Sequence, residues 1–243
     1  MVLPYLNMTS QRPAGAGTRT RRYRSPRREQ QARATRARII AAAARRFLAR
    51  GYAGTTMRAV AADAEVALPT VELVFGTKAK LLKAVIDVAI AGDDEPVPML
   101  DREWARQAES AAGAAGFAAV CAGQLAESAQ RAAGLTLVAL EAARADPDIA
   151  AVAAQLMAQR QVMAAWIVDG LRRRSRLRAG VGYAAAVDTV WALMDPALFC
   201  RLTRDRHWSP AAFRDFFADA ILRLLLSVPG RQPDGASQSL ELS

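Results

Sequence analysis

Thr56, Thr70 and Lys78 stand at or near the starts of three short helical patterns within TTMRAVAADAEVALPTVELVFGTKAKLL, residues 55–82. Hydroxyls, main-chain amides and an ammonium at helix starts are the groups that meet phosphate oxygens. Arg33 and Arg58 add guanidinium groups beside them. Val60, Ala61, Val66, Val71 and Phe75 have the spacing of residues that lock two short helices together. That leaves Leu68, Pro69, Thr70, Glu72 and Leu73 for an outer face. The chemistry on offer is contact with a polyanion and its base edges, with no bond made or broken. The same spacing also suits any three-helix packing unit with capping threonines.

These residues need helices to present them. From about Arg33 to Arg50 the apolar stripe Ile39, Ile40, Ala43, Ala44, Phe47 and Leu48 predicts a helix that stops at Gly51. Thr55 is the expected N-cap of the next helix, which ends near Ala64. A third helix is expected over Leu68–Phe75, with Pro69 accommodated in its first turn. Thr77 caps a fourth, 77–92, that links to the rest of the chain. The stretch DDEPVP (93–98) marks a boundary, and its acids read as solvated residues rather than metal ligands.

Beyond that boundary the pattern is helical throughout. Helices are expected at about 101–109, 113–131, 134–145, 148–175, 181–202 and 209–227, broken at Gly134 and Pro147 among others. The fold class is therefore all-α: a small three-helix head at 33–82 and a larger helical body at 93–228. Residues 1–32 are expected to be a disordered arginine-rich arm, and 229–243 a disordered tail.

Charge is concentrated in that arm. The 243-residue chain carries a net +10, and residues 1–38 hold ten arginines against one acid, Glu29. The remainder is close to neutral, so the basicity is local and suits a polyanion. Deleting residues 1–32 is expected to weaken such binding and flatten its salt dependence. Cys121 and Cys200 lie far apart in apolar surroundings, as in a reduced cytoplasmic protein. No run reaches the apolar length of a membrane span. The sole histidine, His207, has no serine or cysteine tied to it, and no phosphate loop, dinucleotide motif or metal spacing occurs. No catalytic residue, metal or cofactor is expected.

In the body, Phe117, Cys121, Leu137, Glu141, Met163 and Trp166 are candidates to line a pocket for a small hydrophobic or amphipathic ligand, although ordinary core packing would use the same side chains. Trp191, Leu198, Phe213, Phe217, Ile221 and Leu224 are the expected dimer face, since the stripe on the last helix is broad. An intramolecular core would use that stripe equally well.

Residues 35–82 resemble the amino-terminal domain of the tetracycline-repressor (TetR) family. The family pattern is similar to TRxRIlxAAxxlFaxrGyxaTTvrxIAxxAGVSxgTlYxhFxsKexL, and this chain has TRARIIAAAARRFLARGYAGTTMRAVAADAEVALPTVELVFGTKAKL. Residues 191–226 resemble the carboxy-terminal end of many actinobacterial-type members. The resemblance implies a homodimer that sits on a palindromic double-stranded DNA operator and leaves it when an effector binds the body. Activation by the same fold, or a non-catalytic helical scaffold using the basic arm for polyanion or membrane contact, are the alternatives. Four departures from the pattern stand out. Glu65 replaces the turn glycine, Ala67 replaces the capping serine, and Glu72 and Val74 replace an aromatic and a histidine. Glu72 either accepts from cytosine N4 or points away and weakens non-specific binding.

Overall fold

Ile39, Ile40, Ala43 and Phe47 recur at helical spacing and are all buried, so α1 (Pro26–Arg50) lies with one face against the rest of the head. A computed structural model describes residues 26–227. The helix begins at Pro26 and not near Arg33, which corrects the expectation of disorder over 26–32. Glu29 in its first turn and Pro26 at its start favour helix there, although no apolar stripe marks it. Residues 1–25 and the tail 229–243 lie outside the described residues.

Thr56, and not Thr55, caps α2 (Met57–Asp63), its hydroxyl accepting from Ala59 N at 3.1 Å. Thr55 is fully buried and donates instead to Gly51 O at 2.8 Å, holding the α1–α2 turn. At the end of α2, Glu65 N donates to Ala62 O at 3.2 Å and Val66 N to Ala61 O at 3.0 Å. These are the paired bonds of a left-handed helix stop, and Glu65 supplies it at φ 55°. The turn keeps the geometry that glycine would adopt freely, at a steric cost of about 1–2 kcal/mol. Glu65→Gly is therefore expected to stabilise the chain by about 0.5–1 kcal/mol, the relief exceeding glycine's entropic cost. Thermal unfolding reads this directly, and an unchanged or lower midpoint would show that the turn is not strained.

α3 (Leu68–Phe75) and α4 (Lys78–Ala91) complete the head, the latter capped by Thr77, which accepts from Lys80 N at 3.2 Å. The body comprises α5 (Glu103–Ser110), α6 (Gly113–Ala142), α7 (Pro147–Arg174), α8 (Tyr183–Leu193), α9 (Pro196–Cys200) and α10 (Pro210–Leu225). α6 is the spine. Its 30 residues span about 45 Å and pack on α4, α5, α7, α9 and α10.

Two expected breaks fall differently. Gly134 does not end a helix but sits inside α6, where an added Cβ would come within 2.7 Å of Arg204 Nη2 and 3.0 Å of Leu48 Cδ2. Its small size lets the α1 end and the 201–205 turn approach α6. The expected helix 181–202 is split at Asp195–Pro196. Proline cannot continue the ladder, and Asp195 starts a new helix by accepting from Ala197 N at 2.7 Å.

Two apolar clusters result. One joins the head helices to Leu135 and Ala139 of α6 and Ile149 and Leu156 of α7. The other fills the body between α6, α7, α8, α9 and α10. The head thus borrows core residues from about 100 positions downstream, and α4 is clasped from α6 as well. Ser128 Oγ donates to Ile90 O at 2.8 Å, and Arg131 Nε to Ala89 O at 2.8 Å, both on carbonyls at the end of α4.

Candidate nucleic-acid interface

Val71 and Phe75 are buried and anchor α3 within the head, so the positions between them turn outward. Pro69, Glu72 and Leu73 are exposed, while Leu68 and Thr70 are half-buried. Leu73 is 87% exposed and Val74 39%. Glu72 has no hydrogen-bond or ion-pair partner among the described residues. Ala67 occupies the N-cap without a side-chain bond, which forgoes about 1 kcal/mol relative to serine. α3 is therefore held by its two buried anchors and by the turns on either side of it.

Around α3 the other expected contact residues are placed as follows. Thr56 is exposed, and while its oxygen caps α2 its O–H remains a donor. Arg58 is exposed on the first turn of α2, and Arg33 is exposed on α1. Lys78 is less free than expected. Its Nζ donates to Tyr52 O at 3.0 Å and lies 4.0 Å from the Tyr52 ring centroid, and burial lowers its pKa. The Tyr52 hydroxyl is pushed up to about 12 by burial and by the nearby Asp146 carboxylate. Lys78 thus keeps N–H groups for an outside acceptor but is tethered at the junction of head and body.

Several residues that hold this surface gave no signal in the sequence. Arg46 clamps Asp63 through two bonds of 2.6 and 2.7 Å, fixing α1 against α2. Arg36 binds Asp94 at 2.6 and 3.1 Å and lies 4.8 Å from the Phe75 ring centroid, so it is committed to the fold. The partners stand 17 and 58 residues apart, and no local spacing rule connects them.

Of the six pocket candidates, Phe117 and Cys121 belong to the body cluster, Leu137, Met163 and Trp166 pack against it, and Glu141 does not. Phe117 and Cys121 are buried near the start of α6, where the Phe117 ring meets Trp166 at 5.4 Å and Trp166 meets Trp104 at 5.5 Å. Burial pushes the Cys121 thiol up to about 12, so it stays protonated. Met163 lies one turn from Trp166 on α7 and is half-buried. Leu137 is 20 residues from Phe117 on the same helix, about 30 Å along its axis. Glu141 is exposed at the far end of α6. Phe117 and Leu137 thus stand well apart along one cluster, with Glu141 outside it. A solvent-open groove of about 370 Å³ lies between 91–97 and α5, bordered by Arg102, Arg106 and Trp104, whose other neighbour is Trp166.

The expected dimer face is divided too. Phe213, Phe217 and Ile221 are buried within the chain's own core, where α10 packs along α6, so they cannot meet a second copy. Leu224 remains 44% exposed, and Trp191 and Leu198 are half-buried. Beneath Trp191 lies Arg160, only 9% exposed, its guanidinium 3.8 Å from the ring centroid and bonded to Asp195 at 2.9 Å. This pair ties α7 to the start of α9. Among the described residues no helix is long and apolar enough to cross a membrane.

The sequence model of a family described as bacterial regulatory proteins, tetR family, matches residues 39–85, from within α1 to within α4. No curated protein matches the chain. Among solved structures, the transcriptional regulator FadR from Bacillus subtilis, in complex with stearoyl-CoA, superposes with a TM-score of 0.61 at 15% identity. That match covers 77% of this chain and 98% of FadR. NalD, the secondary repressor of the MexAB-OprM multidrug efflux pump in Pseudomonas aeruginosa, gives 0.59 at 18% identity, over 80% and 98% of the two chains. A transcriptional regulator from Rhodococcus sp. Rha1 gives 0.53 at 15%, over 80% and 99%. At such identities the likeness is one of fold.

Proposed function

We propose that the chain, whose residues 39–85 match the model of the TetR family of regulators, is a homodimeric, sequence-specific DNA-binding repressor released from a palindromic operator by a small hydrophobic or amphipathic effector. The observation that carries this reading is α3. Its inward positions are fully committed to the head, and its outward positions, Leu73 above all, stand in solvent. A helix held in this way by a helix-turn-helix is the element that enters a major groove. Two copies related by symmetry would present their α3 helices about 34–36 Å apart, one helical turn of duplex. Leu224 on α10, Trp191 on α8 and Leu198 on α9 support pairing through these helices, since Leu224 is exposed and the other two are only half-buried.

The body supports an effector less directly. The Trp104–Trp166–Phe117 ring cluster would have to open to admit an apolar compound, and the stearoyl-CoA held by FadR supports beginning with long-chain compounds. Release follows if the effector binds better to a conformation whose heads are wrongly spaced for the operator. The head–body contacts at Tyr52, Lys78 and Asp146, with those of Arg131 on α4, are the route by which body and head sense one another. The same binding event activates where the operator lies differently relative to the promoter.

Selection of bound sequences from random duplexes with the full chain tests the reading. An enriched palindrome supports both head and dimer, and no enrichment supports the scaffold reading. The arginine arm is testable on the same duplex. Because α1 already begins at Pro26, deletion to residue 32 would cut a helix, and substitution is cleaner. Changing Arg27, Arg28 and Arg33 together to glutamine is expected to lower the salt slope of binding by up to about 2.7, near 0.9 for each phosphate that is no longer neutralised. An unchanged slope in a salt titration would remove these arginines from the interface.

A further inference from the structure

The outer surface of α3 is chemically one-sided. From Leu68 to Phe75 the helix holds no lysine, arginine, asparagine or glutamine. With Val71 and Phe75 facing inward, what can meet a base edge is Pro69, Leu73, Val74, the Thr70 hydroxyl and the Glu72 carboxylate. Pro69 and Leu73 are four residues apart and so share one side of the helix, contiguous with Val74. In the major groove guanine shows two acceptors, and its usual readers are arginine and lysine; adenine is read by the amides of asparagine and glutamine. This helix has one hydroxyl to offer either purine. Pyrimidines are different. Thymine shows a methyl group that apolar side chains cover, and cytosine shows an N4 amino group that a carboxylate accepts.

We infer that α3 reads the pyrimidine edges of its half-site, Leu73 with Pro69 packing on a thymine C5 methyl and Glu72 accepting a hydrogen bond from the N4 amino group of a cytosine beside it. This rests on the regulator reading and specifies the base chemistry of that same surface. A carboxylate brought among phosphates raises the energy of the complex unless it meets a donor. The cytosine amino group is the base-edge donor for which a carboxylate is the usual partner. Leu73 at 87% exposure gains nothing from the fold, and a methyl group in the groove is what its side chain can cover.

The test uses the full chain and the palindrome that selection yields. Replacing thymine by uracil one position at a time removes only the methyl group. At one position per half-site the affinity is expected to fall about fourfold, the worth of one buried methyl. With Leu73→Ala, the thymine and uracil duplexes should bind alike. Glu72→Gln replaces a carboxylate with an amide that pairs with adenine, so a second selection should move one half-site position from cytosine to adenine, with roughly tenfold discrimination. A palindrome whose binding ignores uracil at every position overturns the inference while leaving the regulator reading intact. So does a Glu72→Gln chain that binds all sequences more tightly with unchanged preference. Failure to enrich any sequence overturns both. Both substituted side chains are exposed, and the uracil series needs no protein variant, so loss of folding cannot imitate these outcomes.

Discussion

A chain carrying Leu73→Asp is expected to unfold at the temperature of its parent and to lose roughly a hundredfold or more in affinity for its selected duplex. The two halves of that expectation have separate causes. Leu73 is 87% exposed and takes no part in the head core, so its replacement changes stability by no more than about 0.5 kcal/mol. In the proposed complex the same position would face a groove rimmed with phosphates. A carboxylate there is desolvated without a partner, and breaking charge balance in this way costs about 3–5 kcal/mol when burial is complete. Duplex titration together with thermal unfolding separates the two. Retained affinity would mean that α3 does not enter the groove by this face.

Gly170→Ala is expected to be the most destabilising small change in the body, by about 3 kcal/mol, or about 6–12 °C in midpoint for a domain of this size. A Cβ at 170 would stand 2.6 Å from both Cε1 and Cε2 of Phe117 and nearer still to Cζ. That ring cannot withdraw. It is fully buried, it meets Trp166 on one side, and the Arg174 guanidinium lies 4.4 Å from its centroid. Arg174 is itself fastened, donating to Gly170 O at 2.9 Å and Ala108 O at 3.0 Å. A Phe117→Leu change in the same chain should recover part of the loss by removing the ring atoms that clash. A midpoint that does not move would place the ring away from Gly170.

The head was legible because its information is local. The stripe Ile39, Ile40, Ala43, Phe47, the proline near the start of α3 and the threonine before α4 each act within a turn or two of their own position. A 3.6-residue period and a capping hydroxyl act through neighbours in the chain, so they can be read from it. The outward set on α3 followed by elimination once Val71 and Phe75 were assigned inward. Glu65 shows the limit. A residue disfavoured at positive φ was forced into it because α2 must end there for Val66 to reach the head interior.

Sequence by itself determined that this chain is helical, that its basic charge gathers at one end, and that α3 turns Pro69, Glu72 and Leu73 away from its anchors. Tertiary structure alone decided which apolar faces are used up. The stripe of Phe213, Phe217 and Ile221 is equally good for a partner copy or for α6, and packing along α6 claimed it, leaving Leu224 outside. It also decided that Gly134 admits a neighbour where a helix break was expected, and that Lys78 is tethered to Tyr52. Burial is non-directional and depends on area, so an amphipathic pattern says that a face will be covered without saying by what.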